Sequence, residues 1–218
     1  MTSAPGTARL PVGPRGLSKE AITRAAVELM EELGEGAFSL RKLGERVGCD
    51  PMAILYHFRN KDGLYRAMAD AITAELPPVD QARPWNDRLR QHARDYRTLA
   101  LGHPHTFALT QKFLNTGVSD FAHIEMVHGA LKDAGVPDTV APTVCLAWYA
   151  SVIGLCMAEI GGLIRPAQAA EIAEIERLPL DRFPNLRQLA TSYGALDAEI
   201  VFEIASDMML EGIHARTR

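Results

Sequence analysis

A cluster of basic side chains within residues 38–66 is the first feature of the sequence that could do chemistry. Six Lys or Arg stand there against three Asp or Glu, whereas residues 77–218 carry thirteen basic and seventeen acidic side chains. The whole chain has a net charge of −4, which argues against a polycation that coats nucleic acid. A small basic patch on an acidic remainder is typical of a protein that contacts phosphate at one end only. The basic residues are Arg41, Lys42, Arg46, Arg59, Lys61 and Arg66.

Helices must position this patch, because helical periodicity recurs along the chain and no strand-like alternation persists. The predicted fold is therefore all-α, with a three-helix head joined through its fourth helix to a larger helical body. Ser18 is expected to cap a first helix that ends at Leu33 before Gly34. Further helices are predicted over 85–101, 104–115, 119–134, 138–163 and 195–214, with a short one near 166–177 and an irregular loop over 178–193.

The spacing of residues 39–76 predicts a helix-turn-helix. Ser39 caps a short helix, Gly48 turns the chain, and Asp50 caps a third helix that has Pro51 at its first position and ends at Phe58. Asn60 caps a fourth helix, which runs to about Leu76. A short helix after such a turn enters the DNA major groove, where its first residues meet base edges.

The residue types predict how each position would contact double-stranded DNA. Met52 and Ala53 can approach base edges or a thymine methyl group, whereas Tyr56 and His57 lie at the far end, where phosphate contacts are expected. Lys61 combines a cation with the N–H groups of the fourth helix. The predicted DNA-binding residues are Ser39, Arg41, Asp50, Pro51, Met52, Ala53, Tyr56, His57 and Lys61.

The run from Phe38 to Leu64 closely resembles the DNA-binding signature of the TetR (tetracycline-repressor-like) family. The matching features are Leu-x-x-Leu in the positioning helix, the turn glycine, the His-Phe pair and Asn-Lys-Asp-x-Leu. The sequence departs from the family pattern at three positions. Leu55 stands where a tyrosine is usual, Gly44 replaces an alanine at a cost of up to about 1 kcal/mol of helix stability, and Cys49 replaces a valine.

The C-terminal part resembles the regulatory bodies of the same family more loosely. The resemblance implies a small-molecule pocket among the helices after the head, and a four-helix bundle formed with a second subunit. It also implies that His103 contacts the ligand. The other candidates are aromatic, flexible or polar residues on helices expected to converge. The predicted pocket residues are His103, Phe107, Gln111, Phe113, Asn115, Met126, Cys145 and Trp148.

Together these features predict a cytoplasmic, homodimeric transcriptional regulator, most simply a repressor that a small-molecule effector releases from a near-palindromic operator. Residues 1–16 are predicted to form a disordered arm, 17–64 the DNA-binding domain and 65–218 the regulatory domain, with helix 60–76 as the link. Small residues on 141–162 and an apolar stripe on 195–214 predict the dimer contact, although both could instead be internal core.

Other classes of protein remain as alternatives. A helix-turn-helix regulator without a small-molecule ligand fits the same head, and a helical-bundle enzyme is the more remote option. Glu125-x-x-His128 occurs once, whereas helical di-iron sites need two copies, so no cofactor or metal is expected. Glu159 lies near a family carboxylate that helps to hold a metal–drug chelate, but it has no histidine partner. Three cysteines without a CxxC imply no disulfide framework, and the apolar stretch 140–164 is expected to be a helix interface rather than a membrane span.

Overall fold

The computed structural model describes residues 18–216. The predicted N-terminal arm, residues 1–16, lies outside this range. Within it every regular element is a helix, which confirms the all-α prediction. The α-helices are α1 (Lys19–Leu33), α2 (Leu40–Val47), α3 (Pro51–Phe58), α4 (Lys61–Thr73), α5 (Trp85–Gly102), α6 (Val118–Asp133), α7 (Ala141–Ile160), α8 (Ala169–Glu176), α9 (Pro184–Gln188) and α10 (Ala198–His214), and 3₁₀ helices cover Phe107–Lys112 and Ala190–Ala195.

Side-chain caps begin the first four helices where the sequence predicted them. Ser18 accepts a hydrogen bond from the backbone N–H of Ala21, and Ser39 accepts one from Lys42. Asp50 and Asn60 cap α3 and α4 through short bonds of 2.7 Å to backbone N–H groups. These caps satisfy N–H groups that have no partner inside the helix. Their local character explains why the boundaries of α1 to α3 could be predicted.

The segment predicted as a helix over 104–115 is not an α-helix, and this prediction is wrong. The chain turns after His103 and then forms the 3₁₀ helix Phe107–Lys112. A carboxylate from α1 changes the local pattern, because Glu31 accepts hydrogen bonds from the backbone N–H groups of His105 and Thr106 at 3.1 and 2.8 Å. The backbone N–H groups that would begin a regular α-helix are thereby bonded to a carboxylate that is distant in sequence.

Two other boundaries also differ from the prediction. α4 ends at Thr73 instead of about Leu76, because the Thr73 hydroxyl bonds to carbonyls of the preceding turn and the chain tightens through a Glu75 N–H bond to Ile72. The region 178–193 is not wholly irregular. It holds α9, which Pro184 opens at a position where its missing N–H costs nothing, and most of the second 3₁₀ helix.

The chain divides into two compact units. Among the described residues, the head unit comprises 18–75 together with His103–Asp120, and the body unit comprises Leu76–Gly102 and 121–216. The sequence predicts a regulatory domain that begins at residue 65. In the structure, α4 and His103–Asp120 lie in the compact head unit. Fully buried apolar residues form the core of the head unit: Ile22, Met30, Leu43, Ile54, Leu64, Met68, Ile72, Phe107 and Leu109.

The body unit has its centre where α5 packs against α7 and α10. Leu89, Ala93 and Tyr96 of α5 are buried there, as are Val152 of α7 and Phe202 of α10. α5 also carries three arginines that pair with acidic residues of the neighbouring helices: Arg90 with Asp207, Arg94 with Glu203 and Arg97 with Glu159. α10 is therefore held to α5 by both apolar contact and charge.

Candidate nucleic-acid interface

α3 separates a buried side from an exposed side within two helical turns. Ile54 and Phe58 point into the head core, with exposures of 0% and 4%. Met52 and Tyr56 lie on the other side and are exposed to 70% and 88%. A large apolar side chain in water costs free energy, so an eight-residue helix that exposes two of them is expected to meet a partner there.

The start of α3 is fixed by two residues that the sequence had assigned to the interface. Pro51 is at the first helical position, and the Asp50 carboxylate accepts the N–H of Met52 at 2.7 Å. Ser39 has the same capping role for α2. These side chains hold the helices in place, whatever further contact they make. Arg41 is exposed and forms an i,i+4 ion pair with Glu45 at 3.0 Å, so its guanidinium is partly neutralised before any phosphate arrives.

Gly44 is required by the close approach of the turn between α2 and α3. A Cβ atom at this position would lie 2.6 Å from the carbonyl oxygen of Cys49 and 3.3 Å from Cδ of Pro51. Gly48 supplies the left-handed backbone conformation of the turn, with φ at 73°. The departure of Gly44 from the family's usual alanine therefore has a steric reason in this chain.

The far end of α3 and the beginning of α4 bring cationic groups together. His57 is exposed in the last turn of α3, and Lys61 is exposed in the first turn of α4 with its Nζ 4.9 Å from the centre of the Tyr65 ring. Lys19 of α1 lies over the Phe58 ring at 5.4 Å. Arg59, which the sequence analysis did not assign to the interface, lies between His57 and Lys61.

The residue Leu55 is half-buried, whereas Tyr56 beside it is almost fully exposed. The aromatic ring that the family usually carries one position earlier is thus presented by Tyr56 in this chain. Its ring lies 6.2 Å from the His57 ring, nearly edge-on. Met52, Ala53, Tyr56 and His57 are all exposed on α3, as the prediction requires, and their contact with DNA stays a prediction.

The predicted pocket residues divide between the two units. His103, Phe107, Gln111, Phe113 and Asn115 belong to the head unit. Phe107 is fully buried, Gln111 is exposed, and His103 Nε2 lies 2.9 Å from a carboxylate oxygen of Glu75. Arg66 donates a hydrogen bond to the side-chain oxygen of Asn115 and lies 6.0 Å from the centre of the Phe113 ring. These residues hold the segment after the 3₁₀ helix against α4.

Met126, Cys145 and Trp148 belong to the body unit and are buried. Trp148 leads to a cluster that the sequence analysis missed. Its Nε1–H donates to Nδ1 of His92 at 3.4 Å, and the Tyr149 hydroxyl lies 3.4 Å from Nε2 of the same ring. The rings of Tyr96 and His123 lie 4.6 and 5.9 Å from that of His92.

His92 is a neutral imidazole at the centre of this cluster. Burial, and secondarily the nearby His123, lower the pKa of His92 to about 3. Since Nδ1 accepts from Trp148, the proton of the neutral ring resides on Nε2. One turn further along α5, burial raises the pKa of Asp95, and its Oδ2 is buried without a hydrogen-bond partner among the described residues. No sequence signal distinguishes His92 from an ordinary helical histidine, because the cluster forms only when α5, α6 and α7 pack.

A cavity of about 450 Å³ lies between α1 and α4 in the head unit. Its lining includes Lys19, Glu20 and Arg24 on α1 and Asp70 and Glu75 on α4, and none of the predicted pocket residues borders it. Glu159 does not resemble a free metal ligand, because both its carboxylate oxygens accept hydrogen bonds from Arg97 at 2.7 Å. Within residues 18–216 no three His, Cys, Asp or Glu side chains gather as a metal site.

Comparison with known proteins places both units in one family. Residues 22–68 match the model of bacterial regulatory proteins of the tetR family, and residues 77–217 match the tetracyclin repressor-like C-terminal domain. An HTH-type transcriptional regulator of Saccharopolyspora erythraea is 31% identical over 146 residues, which are 66% of this chain and 61% of that protein. The class A tetracycline repressor protein from transposon 1721 of Escherichia coli is 36% identical over 92 residues, 40% of this chain and 42% of the repressor. The chain thus spans less than two thirds of either curated relative.

Solved structures show the same fold over nearly the whole chain. Apo ActR from Streptomyces coelicolor superposes with a TM-score of 0.82 at 20% identity and covers 93% of this chain and 99% of its own. A putative transcriptional regulator from Streptomyces coelicolor A3(2) has a TM-score of 0.75 at 29% identity, with 94% and 100% coverage. The side-chain cap that begins α3 agrees with the family matches over residues 22–68 and 77–217. The chain belongs to the TetR family of helix-turn-helix transcriptional regulators.

Proposed function

We propose that this regulator is a homodimeric repressor whose two heads bind a near-palindromic operator and release it when a small-molecule effector binds. The observation that carries the DNA-binding part is the division of α3 into a buried anchor and an exposed face. Ile54 and Phe58 fix the helix to the head core, so Met52, Ala53 and Tyr56 are presented in a constant orientation. Such preorganised side chains are what recognition of base edges in the major groove needs.

In this proposal, different residues contact the DNA bases and the phosphate backbone. Met52 and Ala53, in the first turn of α3, meet base edges and thymine methyl groups. Tyr56, His57 and Lys61 contact the phosphate backbone, and Arg41 with Ser39 approaches the backbone from the start of α2. Contacts of the second kind supply affinity without sequence preference and depend on salt concentration.

A second copy of the chain is the partner that best fits the exposed face of α7 and α10. α7 turns Leu146 and a stripe of small residues to solvent, while α10 exposes Ile200, Ile204 and Met208 to between 51% and 66%. Small residues allow helices to approach closely, and three exposed apolar side chains at four-residue intervals form a continuous ridge. The small residues of the stripe are Ala147, Ala150, Ser151 and Gly154.

The same α7 is long and apolar enough to cross a membrane by length and composition, and only 22% of the relevant window is buried. A dimer interface accounts for both properties, because it removes this face from water. The carboxylate of Glu159 near its end is paired with Arg97 of α5, which ties α7 into the body unit. We therefore propose a cytoplasmic dimer with α7 and α10 at its interface.

The effector is proposed to bind beside the predicted pocket residues of the body unit, Met126, Cys145 and Trp148. ActR, with which this chain shares its fold, has been crystallised with actinorhodin and with (S)-DNPA, so the fold admits small molecules in that protein. His92 adds a buried polar group beside the predicted pocket residue Trp148. A ligand that prefers the DNA-incompetent state by about 2–3 kcal/mol would weaken operator binding about 30- to 150-fold.

The DNA-binding proposal is tested by selecting duplexes from a random-sequence library with the full-length chain. A near-palindrome with half-sites about one helical turn apart is expected. Met52→Ala should change the preferred base at one position in each half-site, whereas Leu180→Ala, at an exposed position of the body unit, should recover the same sequence. Recovery of a single half-site, or of no preferred sequence, would contradict the proposal.

The effector proposal is tested by a thermal-shift screen of small aromatic and hydrophobic compounds, since a ligand that binds the folded state raises its melting temperature. A true effector should also lower the affinity for the selected duplex. Trp148→Ala should reduce the ligand response while ligand-free DNA affinity stays near that of the unmodified chain. A ligand that raises the melting temperature but leaves DNA binding unchanged would contradict regulated release.

A further inference from the structure

Arg59 has a backbone conformation that its residue type disfavours. With φ at 69° and ψ at −43° it is the only non-glycine residue with positive φ among residues 18–216. Side chains with a Cβ are disfavoured there, because the Cβ crowds the neighbouring carbonyl. Glycine would adopt this conformation with less strain.

The neighbours of Arg59 leave the turn no alternative. Asn60 caps α4 by accepting the N–H of Gly63 at 2.7 Å, and a Cβ atom on Gly63 would overlap the carbonyl oxygen of Phe58. Phe58 itself is buried in the head core. The end of α3 and the start of α4 are thus fixed on both sides, and Arg59 must supply the connecting geometry. Strain of this kind persists where the surroundings determine the backbone, and it concentrates at functional sites.

The side chain of Arg59 is exposed, and it forms no hydrogen bond or ion pair with any residue of the described range 18–216. Three other arginines of the head unit are engaged: Arg41 with Glu45, Arg46 with Glu32 and Arg66 with Asn115. Arg59 also lies between His57 and Lys61, the two residues proposed to contact phosphate at this end of α3. A guanidinium in this place can hold a phosphate through two parallel hydrogen bonds.

We infer that Arg59 is a further phosphate-binding residue of the DNA interface, and that the strained turn is retained because the arginine side chain is needed there. The inference rests on the proposed docking of α3 in the major groove. It predicts that stability and DNA affinity respond in opposite directions to one substitution. A purely structural arginine would not separate the two.

Three substitutions distinguish the roles of backbone and side chain. Arg59→Gly removes both the strain and the charge, Arg59→Ala removes the charge alone, and Arg59→Lys keeps both the strain and the charge. The glycine variant should melt about 2–4 °C higher than the unmodified chain, and the other two should melt near it. Arg83→Ala, an exposed arginine of the body unit, is the matched control for loss of one charge.

Affinity is measured with a mixed-sequence duplex of about three helical turns, which reports phosphate contacts without a known operator. Arg59→Gly and Arg59→Ala should both bind about 10-fold more weakly, and the slope of log affinity against log salt should fall by about 0.9 for each head that binds. Arg59→Lys should stay within about threefold, and Arg83→Ala should match the unmodified chain.

The inference is overturned if Arg59→Gly keeps the original affinity and salt slope, because the guanidinium then contacts no phosphate. It is also overturned if the glycine variant melts at or below the temperature of the alanine variant, because the turn then stores no strain. If the unmodified chain shows no salt-dependent binding to any duplex, the docking of α3 fails, and the role of Arg59 falls with it. That result differs visibly from a failure of Arg59 alone.

Discussion

The head and body units expose apolar side chains in different ways. In the head, Met52 and Tyr56 lie on an eight-residue helix with cationic groups at its far end. In the body, Ile200, Ile204 and Met208 form a ridge on the seventeen-residue α10, beside the small residues of α7. A narrow face bordered by cations fits a groove in a polyanion, whereas a long face of small and branched residues fits another helix pair. The same observation, apolar atoms in water, therefore indicates two different partners.

The two interiors differ in which polar side chains they bury. In the head unit the hydroxyls of Thr23, Thr73 and Thr110 bond to carbonyls three or four residues earlier in the chain. In the body unit Arg88 bonds to Asp133, and His92 bonds to Trp148. Long-range and local bonds also occur in the other unit: the Thr73 hydroxyl lies 3.1 Å from that of Thr116 in the head, and Ser206 bonds to the Phe202 carbonyl four residues earlier in the body. The difference between the interiors is therefore that the body buries the basic side chains of Arg88 and His92.

The largest expected effect comes from charging the α7/α10 face. Ile204→Asp should convert the dimer to a monomer and weaken operator binding at least about 100-fold, because one head alone makes half of the contacts. Ile204 is 51% exposed in the single chain, so the fold itself should survive. Light scattering measures the mass. Leu114→Asp, at a position exposed to 82% in the head unit, is the control and should remain dimeric; a dimeric Ile204→Asp would refute the proposed interface.

The second expected effect is a pH dependence of the free energy of unfolding, which arises from His92 in the interior of the body unit. The pKa of His92 is about 3 in the folded chain and about 6.5 in the unfolded chain, so the unfolded chain binds more protons between these values. The free energy of unfolding should therefore fall as pH decreases from 6.5, by up to about 1.4 kcal/mol per pH unit from this residue. Denaturant titrations between pH 7 and pH 5 measure the slope.

His92→Gln should make that slope shallower, even if it lowers stability at pH 7. Leu114→Gln replaces an exposed side chain of the head unit that carries no ionisable group, and it should leave the slope as it is. Equal slopes for the unmodified chain and His92→Gln would show that His92 does not titrate as a buried neutral group. The contrast between the interiors of the two units would then lose its main support.

The third effect concerns the cations of the head. Lys61→Ala should weaken binding to operator and to mixed-sequence DNA alike, by about 10-fold, with a salt slope smaller by about 0.9 per head. Met52→Ala should instead change which sequence is preferred and leave the salt slope unchanged. Fluorescence anisotropy across a salt series separates the two outcomes. An unchanged affinity for Lys61→Ala at moderate salt would mean that the start of α4 does not face the phosphate backbone.

The smallest expected effect is the change in the free energy of unfolding for Gly44→Ala, whose sign distinguishes two opposing predictions. Helix propensity alone predicts that Gly44→Ala stabilises the chain by about 1 kcal/mol. The carbonyl oxygen of Cys49, 2.6 Å from the new Cβ, predicts destabilisation by about 1–2 kcal/mol. We expect the steric effect to prevail, because a backbone carbonyl cannot rotate away. Gly102→Ala, where no atom lies within 4 Å of the new Cβ, is the control, and an increase in the denaturation midpoint for Gly44→Ala would contradict this expectation.

The sequence predicted where α1 to α4 begin, because the signals for these starts are local. Ser18, Ser39, Asp50 and Asn60 each cap a helix with a side chain three residues or fewer from its backbone partner. The segment after His103 was predicted wrongly because its first donors bond to Glu31, more than seventy residues earlier. His92 was missed for the same reason. Arg59 was overlooked because a strained φ leaves no mark on the residue type.

The ion pairs between α5 and α10 do not by themselves determine how far the two helices are shifted along each other. Acidic residues recur every fourth position of α10, at Glu199, Glu203, Asp207 and Glu211. A slide by four residues, about 6 Å, would therefore offer Arg90 and Arg94 new carboxylates of the same kind. The buried side of α10 has no such four-residue repeat of side-chain type. After the slide, Ser206 would occupy the position in the core that Phe202 now fills. Charge and apolar contact both hold the two helices together, but only the apolar contact, through the volume of the buried Phe202 ring, distinguishes one alignment from the next.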